Sequence, residues 1–293
     1  MEDFATYILN EKNYIQKMLV ANYMSKKTGI YFQKSIVLRA QIAKMFLDYT
    51  SLDVDKNTIL TAVLLCNCKK VDNVQKIGKL ETYAKEGADF LATLGFDSRF
   101  CKICEGVNRY TIKENREKES DILELVDQFS GLIIKREERD AFTPKEALII
   151  LKERNLKEVN NRYLEDFIVF VNAMENINIK DNVEVPVIRK LASLCEKEKN
   201  AKTYIATIGN RYADQIESLI KLKIKEQAEE ELYSKNQEKE ASKVEKTIES
   251  TKKTLQTAHR YTRAIEKKNA ERALFSPEAT RRILNHESDF KIN

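Results

Sequence analysis

The sequence predicts an all-α protein, and three features carry that prediction. Glycine and proline are scarce, 7 and 3 among 293 residues, so few signals are present for the turns that punctuate sheets. Apolar residues recur three and four apart along most of the chain, which is the period of a helix face. Charged residues make up 33% of the chain, a share that suits the solvated outer faces of many helices.

Residues 3–25 place Phe4, Tyr7, Ile8, Tyr14, Ile15, Met18 and Leu19 at helical spacing, which suits one or two amphipathic helices. Residues 36–47 form the next helix, with Ile36, Ala40, Ile42, Ala43 and Phe46 inward. Helices over 58–66, 80–94, 99–109, 120–135, 144–154 and 163–174 follow. Thr143-Pro144 is a start signal: a hydroxyl able to cap, then proline at the first helical position. Residues 176–186 partly alternate apolar and polar (Ile177, Ile179, Val183, Val185), which reads as a strand-like or extended connector and a domain boundary. A helix or helix pair follows over 187–220, with Ile188, Leu191, Leu194, Tyr204, Ile205, Ile208, Tyr212, Ile216 and Leu219 on its apolar side. Residues 221–240 are a dense mix of lysine and glutamate, either a solvated helix or a disordered linker.

A cleaner pattern then begins. Ala241, Val244, Ile248, Thr251, Leu255, Ala258, Thr262 and Ile265 stand alternately three and four apart, a heptad seam over about three and a half repeats. Either this helix lies along the body of its own chain, or it coils with a second copy or another protein. Val244, Ile248, Leu255 and Ile265 are its large members. Beyond it, Arg260, Arg263, Lys267, Lys268, Arg272, Arg281 and Arg282 stand among His259, Tyr261 and Phe275, and Ser276-Pro277-Glu278 reads as the start of a last short helix. Basic residues with interleaved rings can hold nucleic acid. Glu266, Glu271, Glu278 and Glu287 dilute the stretch, and the net charge is only +5, so a solvated face is the preferred reading. The expected organisation is an N-terminal helical segment (1–30), a helical domain (31–176) and a helical, partly coiled-coil extension (187–293).

The start, Met1-Glu2-Asp3-Phe4, is acidic, and no apolar stretch reaches the length of a membrane span or a secretory core. A cytoplasmic location without membrane contact is expected. Five cysteines include two close pairs, Cys66-x-Cys68 and Cys101-x-x-Cys104, a spacing that thiolate zinc sites sometimes use. Positions two apart on a helix point to different faces, so reduced, buried thiols are the preferred reading.

One run carries chemistry. Leu64-Leu65-Cys66-Asn67-Cys68-Lys69-Lys70 resembles the Leu-Leu-His-Asp-Ile-Gly-Lys signature of the histidine–aspartate (HD) phosphohydrolases, with Cys66 and Asn67 at the metal-binding pair. The order of segments continues over roughly residues 30–175. Tyr83-Ala84-Lys85-Glu86-Gly87-Ala88 is similar to a His-Pro-x-x-Gly-Ala segment, with Tyr83 at the histidine, and Leu94-Gly95-Phe96 follows it. Ile103-Cys104-Glu105-Gly106-Val107-Asn108-Arg109 resembles the His-His-Glu-Arg stretch of the HD-GYP branch, with Gly106 and Val107 at the two histidines. Residues 122–132 resemble Ile-Leu-x-Val-x-Asp-x-Phe-Asp-x-Leu and keep Asp127. The family's first histidine falls at Phe32, and no Gly-Tyr-Pro sequence is present.

The resemblance implies an HD-like helical bundle followed by a long, charged helical extension. It also implies a cleft without its metal ligands, since only Asp127 remains of Phe32, Cys66, Asn67, Tyr83, Gly106, Val107 and Asp127. The histidine inventory agrees: His259 and His286 are the only two, both far from the motif. HD chemistry uses metal to make a bound water attack a phosphate. The expectation is therefore a pseudoenzyme with no metal and no cofactor, a regulatory or scaffold protein that works through a protein partner or self-association of its C-terminal helices. Three alternatives stand beside it. One is a nucleotide sensor using the old cleft, with Lys70, Arg109, Arg136 and Arg139 on phosphates. Another is a residual hydrolase built on Asp127, the cysteines and a metal. The last is a nucleic-acid binder acting through the basic C-terminal segment.

Overall fold

The fold is given by a computed structural model that describes residues 3–70, 83–109, 115–156, 161–175, 177–179, 183–209 and 213–274. Within these residues the protein is all-α apart from one short hairpin. The elements in order are α1 (Phe4–Asn10), α2 (Tyr14–Thr28), α3 (Lys34–Tyr49), α4 (Lys56–Leu65), α5 (Tyr83–Thr93), α6 (Ser98–Glu105), α7 (Lys118–Leu132), α8 (Pro144–Leu156) and α9 (Leu164–Glu175). Strands β1 (Ile177–Ile179) and β2 (Val183–Val185) come next, then α10 (Val187–Lys197), α11 (Ala201–Thr207) and α12 (Ala213–Leu274).

The helix starts follow from local chemistry. Asn13 accepts from the Ile15 and Gln16 amides at 3.0 and 3.2 Å and so caps α2. Asp55 caps α4 through the Asn57 amide, and Asp97 caps α6 through that of Phe100. Thr143 and Glu146 exchange bonds, the Glu146 carboxylate accepting from the Thr143 amide at 2.8 Å and Thr143 Oγ1 accepting from the Glu146 amide at 3.3 Å. That capping box places Pro144 at the first position of α8, as its sequence predicts. Helix α2 ends at Gly29, whose φ of 73° lies in the left-handed region open to glycine.

Helix α3 is the centre of the core. It buries Ile36 through Ala43 without a break and then Met45, Phe46 and Leu47, because α4, α7, α10 and α11 all pack on it. Phe46, Phe129, Phe167 and Phe170 meet edge-on or tilted, with centroids 5.2–5.8 Å apart, and join α3, α7 and α9.

The chain divides into two compact units, Met1–Lys225 and Glu226–Asn293, which corrects the expected boundary between 176 and 187. The segment 176–186 does alternate as a strand would, and its described part pairs β1 with β2 antiparallel, Asn178 opposite Glu184. That hairpin reverses the chain, so α10 and α11 return to the core. They bury Val187, Ile188, Leu191, Cys195, Tyr204 and Ile205 against it. The Tyr204 hydroxyl donates to the Leu191 carbonyl at 3.1 Å and ties the two helices together. Residues 1–30 are not a separate segment either, since Ala5, Ile8, Met18 and Ala21 belong to the same core.

In the second unit, α12 continues as helix to Leu274, which resolves the 221–240 stretch as helical. Its apolar side chains are exposed, Val244 at 58%, Ile248 at 50% and Leu255 at 56%. The Ile265 side chain and the expected short helix at 276 lie outside the described residues, as do residues 80–82 of the expected fifth helix. Among the described residues no helix is long and apolar enough to cross a membrane.

Candidate functional site

The HD-like run sits where α4 ends. The Cys66 amide still donates to the Ala62 carbonyl, and the chain then tightens, with Cys68 donating to Leu65 and Lys70 to Asn67. The Tyr31 amide donates to the Cys68 carbonyl at 3.1 Å and pins this turn to the entry of α3. From across the core α3 sends Arg39, and α7 sends Asp127.

These side chains close around one carboxylate. Arg39 Nη1 lies 2.7 Å from Asp127 Oδ1, and Asn67 Nδ2 donates to the same oxygen at 2.6 Å. Lys70 Nζ stands 3.4 Å from Asp127 Oδ2 and 5.1 Å above the Tyr83 ring. Arg39 Nη1 also reaches to 3.9 Å of Cys66 Sγ. Burial works to raise the Asp127 pKa, but Lys70, Arg39 and the Asn67 amide outweigh it and hold the carboxyl down at about 2. Burial pushes the Cys66 thiol up to about 11 and the Tyr83 hydroxyl well above its usual value, with Asp127 adding to both shifts. At neutral pH the group therefore holds two cations, one carboxylate, a neutral thiol and a neutral phenol.

A cavity of about 570 Å³ opens beside this group. Arg39, Asn67, Lys70 and Asp127 line one part, and Lys34, Lys135, Arg136, Ser130, Tyr31 and Glu196 are among the other lining residues. Five cationic side chains thus stand against the two carboxylates of Asp127 and Glu196. Lys34 Nζ donates to the Glu196 and Glu198 carbonyls, and Glu196 accepts from the Lys135 amide, so α10 supplies one wall. Asn67 Oδ1 and Ser130 Oγ are buried and lack a hydrogen-bond partner among the described residues. The Asn67 amide has its orientation set by its donation to a carboxylate, which leaves its oxygen as the free acceptor.

Not every expected position joins this group. Asn67 and Asp127 line the cavity, while Cys66 and Tyr83 are buried behind it. Phe32 is half-buried against the core and is not in the cavity wall. Gly106 and Val107 sit at the end of α6, against α7, where a Cβ on Gly106 would collide with Ser120. Arg39 and Lys70 stand against Asp127. Of the four expected phosphate-binding cations, Lys70 and Arg136 line the cavity. Arg109 is committed instead to Glu124, its Nε lying 2.8 and 2.9 Å from the two oxygens, within a buried network that includes Arg116 and Asp121. Arg139 donates to the carbonyls of Gly131, Leu132 and Ile134 and so caps the end of α7.

The donor set does not fit a catalytic metal. Asp127 already faces two cations, Asn67 offers only an amide, and the Cys66 thiol stays protonated. Among the described residues no three histidine, cysteine, aspartate or glutamate side chains converge on a point. All five cysteines are buried and free. Sequence reasoning missed Lys34, Lys135 and, at the centre of the site, Arg39. For Arg39 the available signal was a cation inside Ile36-Val37-Leu38-Arg39-Ala40-Gln41-Ile42-Ala43, a run otherwise fit for a fully buried helix. Comparison with family models, with characterised proteins and with solved structures finds no match for this chain.

Proposed function

We propose that this is a non-catalytic protein of the HD-like type whose cavity binds a phosphate-bearing small molecule of nucleotide size and does not cleave it. The observation that carries the reading is a cavity walled by five cationic side chains. Arg39 and Lys70 hold Asp127, and Lys34, Lys135 and Arg136 extend the positive wall around a cavity of about 570 Å³. That volume is in the range of small-molecule pockets. Guanidinium and ammonium groups bind phosphate without activating water. A carboxyl held at about pH 2 is a poor general base near neutrality, which supports binding over hydrolysis.

The test is calorimetric titration of the full chain with nucleoside mono-, di- and triphosphates, cyclic dinucleotides and inorganic phosphate, followed by product analysis in manganese buffer. At least one nucleotide is expected to bind, with affinity falling about tenfold in Lys70→Ala, the range of one charge-assisted contact. No heat from any of them removes the binding reading. Turnover that Asp127→Ala abolishes removes the non-catalytic one. A second reading, a regulator or scaffold acting through its C-terminal helix, is favoured by the exposure of Val244, Ile248 and Leu255.

A further inference from the structure

We infer that residues 226–274 of α12 form an antiparallel two-stranded coiled coil with a second copy of this chain. Three observations lead there. The seam Ala241, Val244, Ile248, Thr251, Leu255, Ala258, Thr262 and Ile265 keeps a strict three-four alternation. This narrow stripe averages 3.5 residues per turn, which suits another helix wrapped around it; a helix lying on a globular surface shows a broader stripe of period 3.6. The described large members, Val244, Ile248 and Leu255, are half or more exposed. Thr251 Oγ1 donates back to the Thr247 carbonyl at 2.9 Å, which satisfies the hydroxyl within the helix.

Charge identifies the occupant. Residues 226–249 hold eight carboxylates and four lysines, while residues 250–274 hold two carboxylates and seven lysines and arginines. The sign therefore reverses at the middle of the segment. Parallel copies would set acidic half against acidic half and basic half against basic half. Antiparallel copies set each acidic half against the basic half of the other, and the same surface serves both chains, as a two-fold axis requires. In the register centred on the reversal, Ile248 meets the partner's Thr251, Val244 meets the partner's Leu255 and Ala241 meets the partner's Ala258. Glu245, flanking the seam, then faces the partner's Lys252, and the axis repeats that pair. The parallel register instead puts Glu240 beside the partner's Glu245, twice.

Light scattering on the full chain, with and without 1 M salt, is the first test. The expected mass is twice the 34.0 kDa chain at low salt. The dissociation constant should rise at least tenfold in 1 M salt, where opposite charges are screened. Ile248→Asp with Leu255→Asp should give monomer with an unchanged melting temperature for the N-terminal unit. Cysteine cross-linking gives the orientation, against a low background because all five native thiols are buried. The chain carrying both Val244→Cys and Leu255→Cys should form a covalent dimer under mild oxidation. Neither single variant should, because its two thiols would stand roughly 16 Å apart along the axis at 1.5 Å per residue. A monomer at every salt concentration overturns the proposal. A covalent dimer from either single variant overturns the antiparallel arrangement.

Discussion

Replacing Arg39 by methionine tests the centre of the site. The substitution keeps most of the stem and removes the guanidinium that lies 2.7 Å from Asp127. Both partners are largely buried, 7% and 13% exposed at the side chain, so solvent cannot take over the lost contact. Breaking a buried pair on one side costs about 3–5 kcal/mol, because the remaining charge is stranded. Lys70 and Asn67 stay beside Asp127 and moderate this, so the expected loss is about 3 kcal/mol. For a unit of this size that corresponds to a melting temperature lower by roughly 6–12 °C. Replacing Asp127 by leucine alone should cost a similar amount, since Arg39 is then buried without its carboxylate. The double variant Arg39→Met with Asp127→Leu strands neither charge, and it should return to within about 1 kcal/mol of the parent. Urea unfolding of all four proteins measures the cycle. Acid adds a second reading with a fixed sign. Asp127 drops from 3.8 to about 2 on folding, which corresponds to roughly 2 kcal/mol of stability. That contribution is complete above about pH 4 and is lost as pH falls through about 2. The advantage of the parent over Asp127→Leu should therefore shrink across that window. A double variant that loses the sum of the two single losses would refute the account of an ion pair at this centre.

Lys17 and the thiols give two further expectations. Lys17 is buried and donates to the Ile8 carbonyl and, at 2.7 Å, to Thr61 Oγ1. Burial lowers its pKa to about 8, against the pull of Glu11 and Asp55. The unfolded chain then holds more protons between pH 8 and 10.5, so this group makes stability rise with pH by roughly 3 kcal/mol over that range. Lys17→Met should remove the rise, read as the difference between parent and variant in urea at pH 7.5 and pH 10.5; equal slopes would contradict it. Burial holds the Cys66 and Cys68 thiols at about 11 and 12, so a thiolate-seeking disulfide reagent at pH 8 should leave them unmodified in the native protein and modify them in guanidinium. Rapid native labelling of either would show that the turn after α4 opens readily.

What the sequence determined by itself is the class and the order of elements. Helical periodicity, Thr143-Pro144 and scarce glycine are local signals, and the helices formed from them, α8 with its capping box included, are held by bonds between near neighbours in sequence. The alternation at Ile177, Ile179, Val183 and Val185 was readable for the same reason, and it became β1 and β2. The run after Leu65 supplied Asn67 and Lys70 to the cavity wall, and the separate segment 122–132 supplied Asp127. Tertiary structure decided the rest. A charge says nothing in sequence about its partner. Arg39 reaches Asp127 across 87 intervening positions, Arg109 finds Glu124 rather than the cavity, and Arg139 turns onto the carbonyls at the end of α7. The unit boundary moved from the hairpin to Lys225 because the apolar faces of α10 and α11 find burial against α3, with α9 and α2 beside it. Pairing and burial are set by distance in space, and a sequence records distance only along the chain.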